Sequence, residues 1–562
     1  MKAILKNIAL KIPQLPFIGL IQAKMIELEY LRARTQESEN LSAQIFELQG
    51  KIAELEIEKL KFASLCEGKQ NATNFSDSID LHPWEHPYLT EHNIKRFREY
   101  SSSVWDFALD YSQRHYESHR YAFSVNMAQS MYKWAKIAKK KGVETSIFPS
   151  VMDTSALNCP EWEEFDAEFP DILNGNCFLQ TYPDIELDVP CHRIDMEGSE
   201  LYSAYQNFCM GQRLDYLKLI AKTPSLRFEA MLSHEGCYPY YNWAKALSDF
   251  DAIYTASSPL AAYMSGKPFC AYSVGGDLQT DCGRANDLGK AMSLAFNAAK
   301  FIVFTNPHTL GHCRRLGFTN GLYIPYLMDD SRYCPGEAIA RKEWEAKYGF
   351  GVYILTTARI DSSVKGQSET FFDILINIAK QRPEVRFVFL KWGNDANEFQ
   401  SRIASSGVAS QFVMLPPVGK RKLIDYYRSC DIVLDQFVYG YYGATGLEAA
   451  AVGKPIVIKL RKNHYEPWYI GDIAPMTSVD TITEISQALF TLIDSQTLRE
   501  QKGIELRQWL VRNHGEQKLT NLMLAILQIT AGQVALPKDL VNPLWEDLAP
   551  QEKEYHKSLL RK

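Results

Sequence analysis

Arg359 and Lys365 stand on the stretch ILTTARIDSSVKGQ, directly behind the apolar run Tyr353–Thr356, and Gly366 follows them. Two cations on a loop that leaves a buried strand suit a diphosphate, whose charge must be stabilised when a bond to its oxygen breaks. Gly366 lets the chain turn from that loop into a helix. Solvated surface charge is the other reading of any basic pair. A second stretch, RSCDIVLDQFVYGYYGATGLEAAAVGKPIVIKL, runs from Arg428 to Leu460. It holds an apolar run at Ile432–Asp435, a loop with Gly440, Gly443 and Gly446, an alanine-rich helix carrying Glu448, a Gly-Lys-Pro stop and the run Ile456–Ile458. The start of such a helix offers unbonded N–H groups and the positive end of a dipole to an anion. Glu448 has two readings, both open: a carboxylate accepting two hydroxyls of a ribose, or the fourth member of a Thr445-Gly-Leu-Glu448 capping box.

These loops act together only if strands hold them at one sheet edge. Apolar runs alternate with amphipathic stretches in two series. The first opens with Tyr121–Val125, passes through Asn126 into a helix bearing Met127, Met131, Trp134, Ala135 and Ala138, and continues with Val143–Phe148, Ala252–Thr255, Phe269–Tyr272, Phe301–Phe304 and Leu322–Pro325. The second comprises Tyr353–Thr356, Val388–Leu390, Phe412–Leu415, Ile432–Leu434 and Ile456–Ile458. Strand-helix alternation of this kind predicts two doubly wound parallel sheets, which bind ligands beyond the carboxyl ends of their strands. No Gly-x-Gly-x-x-Gly follows the first strand, which disfavours NAD or FAD.

With 562 residues the chain exceeds one core, and 46% hydrophobic with 23% charged content is that of a globular protein. A net charge of −6 gives no basic field for nucleic acid. Eleven cysteines scattered without a CxxC pair predict free thiols in a reducing compartment, the cytosol. Ahead of the sheets, Leu41, Ile45, Leu48, Ile52, Leu55 and Phe62 fall on alternating steps of four and three, the seam of a coiled coil that predicts a homo-oligomer. Lys2, Lys6 and Lys11 interleaved with Ile4, Leu5, Ile8 and Ile12 predict a basic amphipathic helix. Peripheral contact with the inner face of a membrane and docking on protein are its two readings.

R-I-D-x-x-x-K-G from Arg359, then D-I-V-L-D-Q, then G-Y-Y-G-A-T-G-L-E-A-A-A-V-G-K-P resembles the carboxyl-terminal domain of the family 4 retaining glycosyltransferases. The match is clearest over residues 352 to about 470 and weaker back toward 120, through Gly275-Gly276-Asp277 and Tyr323-Ile-Pro325. The resemblance implies the GT-B architecture, two Rossmann-like domains facing a cleft, here preceded by an α-helical coiled coil. It implies a nucleotide-diphospho-sugar donor, a glycan or lipid-linked acceptor, and transfer with retention on one face of the sugar, the departing diphosphate helping to deprotonate the acceptor. Arg359 and Lys365 would then grip the diphosphate, with Gly443, Ala444 and Thr445 on phosphate and Glu448 on the ribose. Trp392, Gly393 and the Pro416–Gly419 loop, through Val418, would border the base. Asn126, Gly275, Gly276 and Asp277 would face the acceptor and the moving sugar, Asp277 among the catalytic groups. No DxD motif occupies a corresponding loop, so no metal or other cofactor is expected. One departure is clear: the family carries a glutamate eight positions ahead of Glu448, and Gly440 stands there.

The expected organisation is a basic amphipathic segment (1–20), a coiled coil (21–65), a linker and helical lead-in (66–120), an acceptor domain (121–340), a nucleotide-sugar domain (341–530) and a tail (531–562). A glycosyltransferase of polysaccharide or other glycan synthesis is the first reading. A non-catalytic scaffold derived from one, and a sugar-nucleotide epimerase of GT-B fold, are the alternatives.

Overall fold

The computed structural model describes residues 91–149, 155–194, 240–282, 287–306, 308–438, 440–461 and 470–545. The amphipathic segment at 1–20 and the coiled coil at 21–65 lie outside the described residues. Those described belong to one compact unit, Trp84–Lys562.

Both series of apolar runs form parallel sheets of six strands. The first comprises β1 (Arg120–Ser124), β2 (Glu144–Phe148), β3 (Ala252–Ala256), β4 (Phe269–Tyr272), β5 (Ile302–Phe304) and β6 (Gly321–Tyr323), in the order β2-β1-β3-β4-β5-β6. The second comprises β7 (Val352–Thr356), β8 (Val385–Leu390), β9 (Phe412–Leu415), β10 (Ile432–Leu434), β11 (Ile456–Ile458) and β12 (Thr477–Ser478), in the order β12-β11-β10-β7-β8-β9. Every ladder is parallel, with Tyr121 beside Ala252 in the first sheet and Ile354 beside Ile432 in the second. Near-continuous burial along the strands reflects helices on both faces of each sheet. Strand order reverses between β1 and β3 and again between β7 and β10. Each reversal opens a crevice at the carboxyl ends, where two neighbouring loops part to opposite faces. The loops carrying Asn126, Arg359 and the three glycines emerge at these two points.

The lead-in is helical, α1 (Glu91–Arg114), anchored on the first sheet by Trp105 Nε1–H donating to Tyr323 O at 2.9 Å and by Phe97 stacked on Phe304. Behind β1 runs α2 (Ser130–Lys140), whose residues from Ser130 to Ala138 are all buried. The last long helices are α7 (Gln496–His514) and α8 (Glu516–Ala531). α7 lies with the second domain against the helix Ala444–Val452, whereas α8 returns to the first, against α1, α2, β3 and β4. Cys270 Sγ on β4 lies 3.2 Å from Thr530 Oγ1 on α8. Among the described residues no helix is long and apolar enough to cross a membrane.

Two local expectations need correction. The first strand ends at Ser124 and does not include Val125, which takes a left-handed φ of 58°. For a β-branched residue that is a genuine outlier. Ala128 (φ 46°) and Gln129 (φ 68°) follow it. Held strain of this kind gathers at functional sites when the surroundings over-determine it. Here the fixing bonds are Val125 N–H to Phe148 O, Ala128 N–H to Asn158 Oδ1 at 2.8 Å, and Gln129 Nε2–H to Leu157 O and Cys159 O. The second correction concerns the capping box, and it belongs to the site.

Candidate donor and acceptor site

The helix that carries Glu448, α6 (Ala444–Val452), starts two residues before the capping box requires. Gly443 is its N-cap and makes no side-chain capping bond, so Thr445 is already helical and Glu448 does not reach back to cap. The N-cap residue has no side chain to bond the first amides of α6, and those of Gly443 and Gly446 face the Asp435 carboxylate. Thr445 instead takes a hydrogen bond from the Thr357 hydroxyl at 3.4 Å, tying α6 to the loop after β7. Asp435 lies buried beneath this helix start, its Oδ2 only 2.9 Å from where a Cβ on Gly446 would stand. Burial pushes its carboxyl up, while Lys365 and the amides of Gly443 and Gly446 draw it down.

Arg359 and Lys365 emerge beside this loop. The Arg359 side chain is 42% exposed and its Nε sits 3.9 Å from Asp361 Oδ2. That Nε is shielded from solvent with no hydrogen-bond partner. Lys365 closes a short helix, Ser362–Lys365, and its carbonyl accepts the Phe437 N–H at 2.9 Å. One backbone bond thus joins the basic loop of β7 to the glycine loop of β10. Gly366, at φ 77°, passes so close to Phe437 that a Cβ would stand 3.1 Å from that residue's own Cβ.

Glu448 is almost completely buried and fully engaged. Lys420 Nζ is 2.5 Å from Oε1, Tyr427 donates its hydroxyl to Oε2 at 3.2 Å, and Lys133 Nζ of α2 lies 3.8 Å from Oε1. Lys133 comes from the first domain and is itself buried, with the Tyr326 and Tyr333 rings each 5.5 Å away. This carboxylate of the second domain therefore makes one of the charge contacts between the two domains. Lys133, Lys420 and Tyr427 were missed in the sequence. An apolar stripe at 131, 134, 135 and 138 predicts a solvated opposite face for α2, whereas Lys133 is buried there beside Glu448 of the second domain and Lys136 beside Glu164 of the first.

Trp392 donates its indole N–H to Thr357 O at 3.1 Å and so lies over the same loop. Gly393 follows at φ 110°, and a Cβ on it would stand 2.4 Å from Ile360 O. Gly393→Ala is expected to destabilise by about 2–4 kcal/mol, from a strained φ and the clash together. A thermal midpoint equal to that of the parent protein would contradict this.

Val418 is buried, and its loop is covered by a segment of the first domain. Phe169 N–H donates to Pro417 O, Gly419 N–H to Ala167 O and Arg421 N–H to Phe165 O. That segment holds a separate aromatic core of Trp162, Phe165, Phe169 and Phe178. It begins with the short helix α3 (Glu161–Glu164), whose Glu164 collects Lys136 (2.6 Å), Arg332 (3.1 Å) and Arg421 (2.9 Å). Burial alone would raise this carboxyl; Arg332, Lys136 and Arg421 outweigh it and hold it at about 2. The acidic run Glu-Trp-Glu-Glu was the sequence signal for it.

In the first domain Asn126 is fully buried. Its Oδ1 accepts the Tyr132 N–H at 2.8 Å, and its Nδ2 donates to Gln129 Oε1 and Asn158 O. Asp277 is likewise internal: Ser273 Oγ and the amides of Val274, Gly275 and Leu278 all donate to it. Burial raises its carboxyl to about 6 against those bonds. It starts a wide helical turn, Asp277–Asp281, and fixes the Gly275–Gly276 backbone. No Cβ contact would restrict Gly276. Both residues thus shape their loops through hydrogen bonds within them.

Gly440 explains the departure from the family pattern. It takes φ 75°, and a side chain on it would meet the stem of Arg461, with Cγ at 2.9 Å and Cδ at 3.0 Å. Arg461 N–H bonds to Gly440 O at 2.8 Å. The space for a first glutamate is filled from the loop after β11.

Two facing Rossmann-like sheets, with a glycine-capped helix start and a basic loop at the reversal of the second, define the GT-B architecture. No protein-family profile matches the chain. By sequence it is similar to the mannosylfructose-phosphate synthase of Agrobacterium fabrum, 27% identical over 150 residues, or 24% of this chain and 32% of that protein. It is also similar to the D-inositol 3-phosphate glycosyltransferase of Xylanimonas cellulosilytica, 30% identical over 131 residues, or 22% of this chain and 30% of that protein. The match thus spans about a third of the length of these curated relatives. In fold the chain is similar to Anabaena HepE, solved in complex with UDP and glucose. The TM-score is 0.51 at 13% identity, covering 73% of this chain and 99% of that one. These likenesses bear out the resemblance to the family 4 retaining glycosyltransferases and its GT-B fold.

Proposed function

We propose that the protein is a retaining glycosyltransferase that moves a sugar from a nucleotide-diphospho-sugar to a glycan or lipid-linked acceptor. The observation that carries this reading is the bond between Lys365 O and Phe437 N. It joins two cations to a glycine-capped helix start at the reversal point of the second sheet, an arrangement suited to a diphosphate. Arg359 and Lys365 stabilise the departing diphosphate, and the amides of Gly443, Ala444 and Thr445 receive its phosphates. Glu448 takes the ribose, exchanging its present contacts for sugar hydroxyls. Trp392, Gly393 and Val418 form the wall beside the base. The strained loop at Asn126 and the turn at Gly275, Gly276 and Asp277 border the acceptor and the transferred sugar. The curated relatives are named for phosphorylated-sugar and inositol phosphate chemistry, and HepE was solved with UDP, which makes UDP the first nucleotide to try. From the sequence come the two remaining parts of the proposal, self-association through 21–65 and membrane-surface contact through 1–20.

The test incubates the full chain with UDP-, GDP- and ADP-sugars and measures nucleotide release, with binding of the free nucleotides by calorimetry. Release of one nucleotide, stimulated by a glycan acceptor, is the expected result. Failure to bind any nucleotide sinks the proposal, and isomerisation of a donor without transfer favours the epimerase. Within the same assay, Glu448→Gln is expected to weaken nucleotide binding by roughly 10–100-fold, since hydrogen bonds to a charged acceptor are worth about 1.5–3 kcal/mol. An unchanged affinity removes Glu448 from the ribose role.

A further inference from the structure

The glycine loop is held at its other end by a residue far along the chain. Tyr442, between Gly440 and Gly443, turns its ring inward, edge-on to Trp509 (5.5 Å) and to His514 (5.7 Å). Its hydroxyl lies 3.3 Å from His514 Nε2. The other ring nitrogen, Nδ1, is 2.7 Å from Tyr326 O. A carbonyl only accepts, so Nδ1 carries the proton. The neutral ring then presents a lone pair at Nε2, and Tyr442 donates its hydroxyl to it. Burial holds this imidazole down at about 4, against the bond to Tyr326, so the neutral tautomer persists at physiological pH.

What His514 touches gives the arrangement its meaning. It ends α7, and Gly515 carries the chain back from the second domain to α8 on the first. Its carbonyl accepts the Met328 N–H at 3.0 Å, and Asp330 Oδ1 accepts the Glu516 N–H at 2.7 Å. Tyr326, Met328 and Asp330 lie on the segment that leaves β6 for the second domain. Among the described residues, both passages between the sheets are thus bonded to each other at His514. The glycine loop is bonded to the same side chain.

We propose that His514 is a positioning residue that couples the glycine loop to the domain hinge. Any rotation between the domains that shifts Tyr326 moves the imidazole, and with it Tyr442 and the start of α6. Donor binding and domain closure then favour one another, because each fixes the same loop. The part concerning the donor rests on the function proposed above; the coupling between loop and hinge does not.

Two variants remove the shared bond from opposite sides. Tyr442→Phe loses the hydroxyl and keeps the ring, while His514→Asn keeps a donor in place of Nδ1–H and loses Nε2. Hydrogen exchange on the free, full-length protein is the first readout. Tyr442→Phe is expected to speed exchange of the amides at Tyr326–Asp330 severalfold. Unchanged exchange there overturns the coupling whether or not a nucleotide binds. The second readout is donor KM, expected to rise roughly 5–10-fold in each variant with kcat within about threefold, and no further in the double variant. Additive effects, or a lowered thermal midpoint with KM unchanged, would assign His514 to stability alone. Faster exchange at the hinge in a protein that binds no nucleotide would instead retain the coupling and discard the donor.

Discussion

Glu164→Ala is expected to cost about 3 kcal/mol of stability, a loss readable in the midpoint of urea or thermal unfolding. The carboxylate is buried and receives Lys136, Arg332 and Arg421, of which Lys136 and Arg332 are themselves largely buried. Removing it strands two desolvated cations. Asp188, 2.8 Å from Lys136, and Glu163, 3.7 Å from Arg332, retain part of their compensation and keep the loss at the lower end of the range for a broken buried pair. Arg421→Ala acts on the same cluster from its exposed side and should cost under about 1 kcal/mol, because its guanidinium is 57% exposed. The pH dependence separates a charge effect from lost packing. Glu164 has its folded carboxyl depressed from 4.5 to about 2, so its contribution is full above 4.5 and is lost as pH falls toward 2. The parent protein should lose stability across that window more steeply than Glu164→Ala. Parallel curves would show that the side chain acts by its volume.

Arg359→Ala is expected to lower kcat for nucleotide release by roughly 10²–10³-fold, with a smaller change in donor KM. The reasoning is differential: a guanidinium contributes to rate only as far as it binds the departing diphosphate more strongly than the intact donor. Its Nε, shielded from solvent and lacking a hydrogen-bond acceptor, is already desolvated toward such a partner. Lys365→Ala should lose less in kcat, because a flexible ammonium offers one movable charge where arginine offers a planar fork. It should also disturb the loop little, since the bond to Phe437 uses the Lys365 carbonyl and survives the substitution. Rate retained in Arg359→Ala would move the leaving-group role elsewhere.

Both sheets were legible in the sequence because strands buried on two faces read as apolar runs at any register. The two-residue β12 escaped, as did the end of β1, the bounds of β6 (Gly321–Tyr323 against 322–325) and the first three residues of β8. Val125 looks like a strand residue by type, and its left-handed φ is imposed by bonds to Phe148 and Asn158 that no local pattern encodes. The basic loop and glycine loop were legible for a related reason: their chemistry follows directly from strand, turn and helix start. Long-range pairing was not. Lys133 and Lys420 are separated along the chain by a whole sheet, and only the closed geometry brings both to Glu448. The capping box was a plausible local solution, but the helix starts two residues earlier, with Gly443 as its N-cap.

The return of α8 to the first sheet also sets an order of assembly. β3 and β4 emerge early in synthesis, yet the helix that covers them ends at Ala531, after every strand of the second sheet. The second domain is therefore an insertion in the first. During synthesis it has all its strands before its host has its last helix, and domains generally fold as units. Until then the sheet face of Tyr254 and Cys270 stays open to other chains, so truncation ahead of residue 516 should yield an aggregating product rather than a separable first domain.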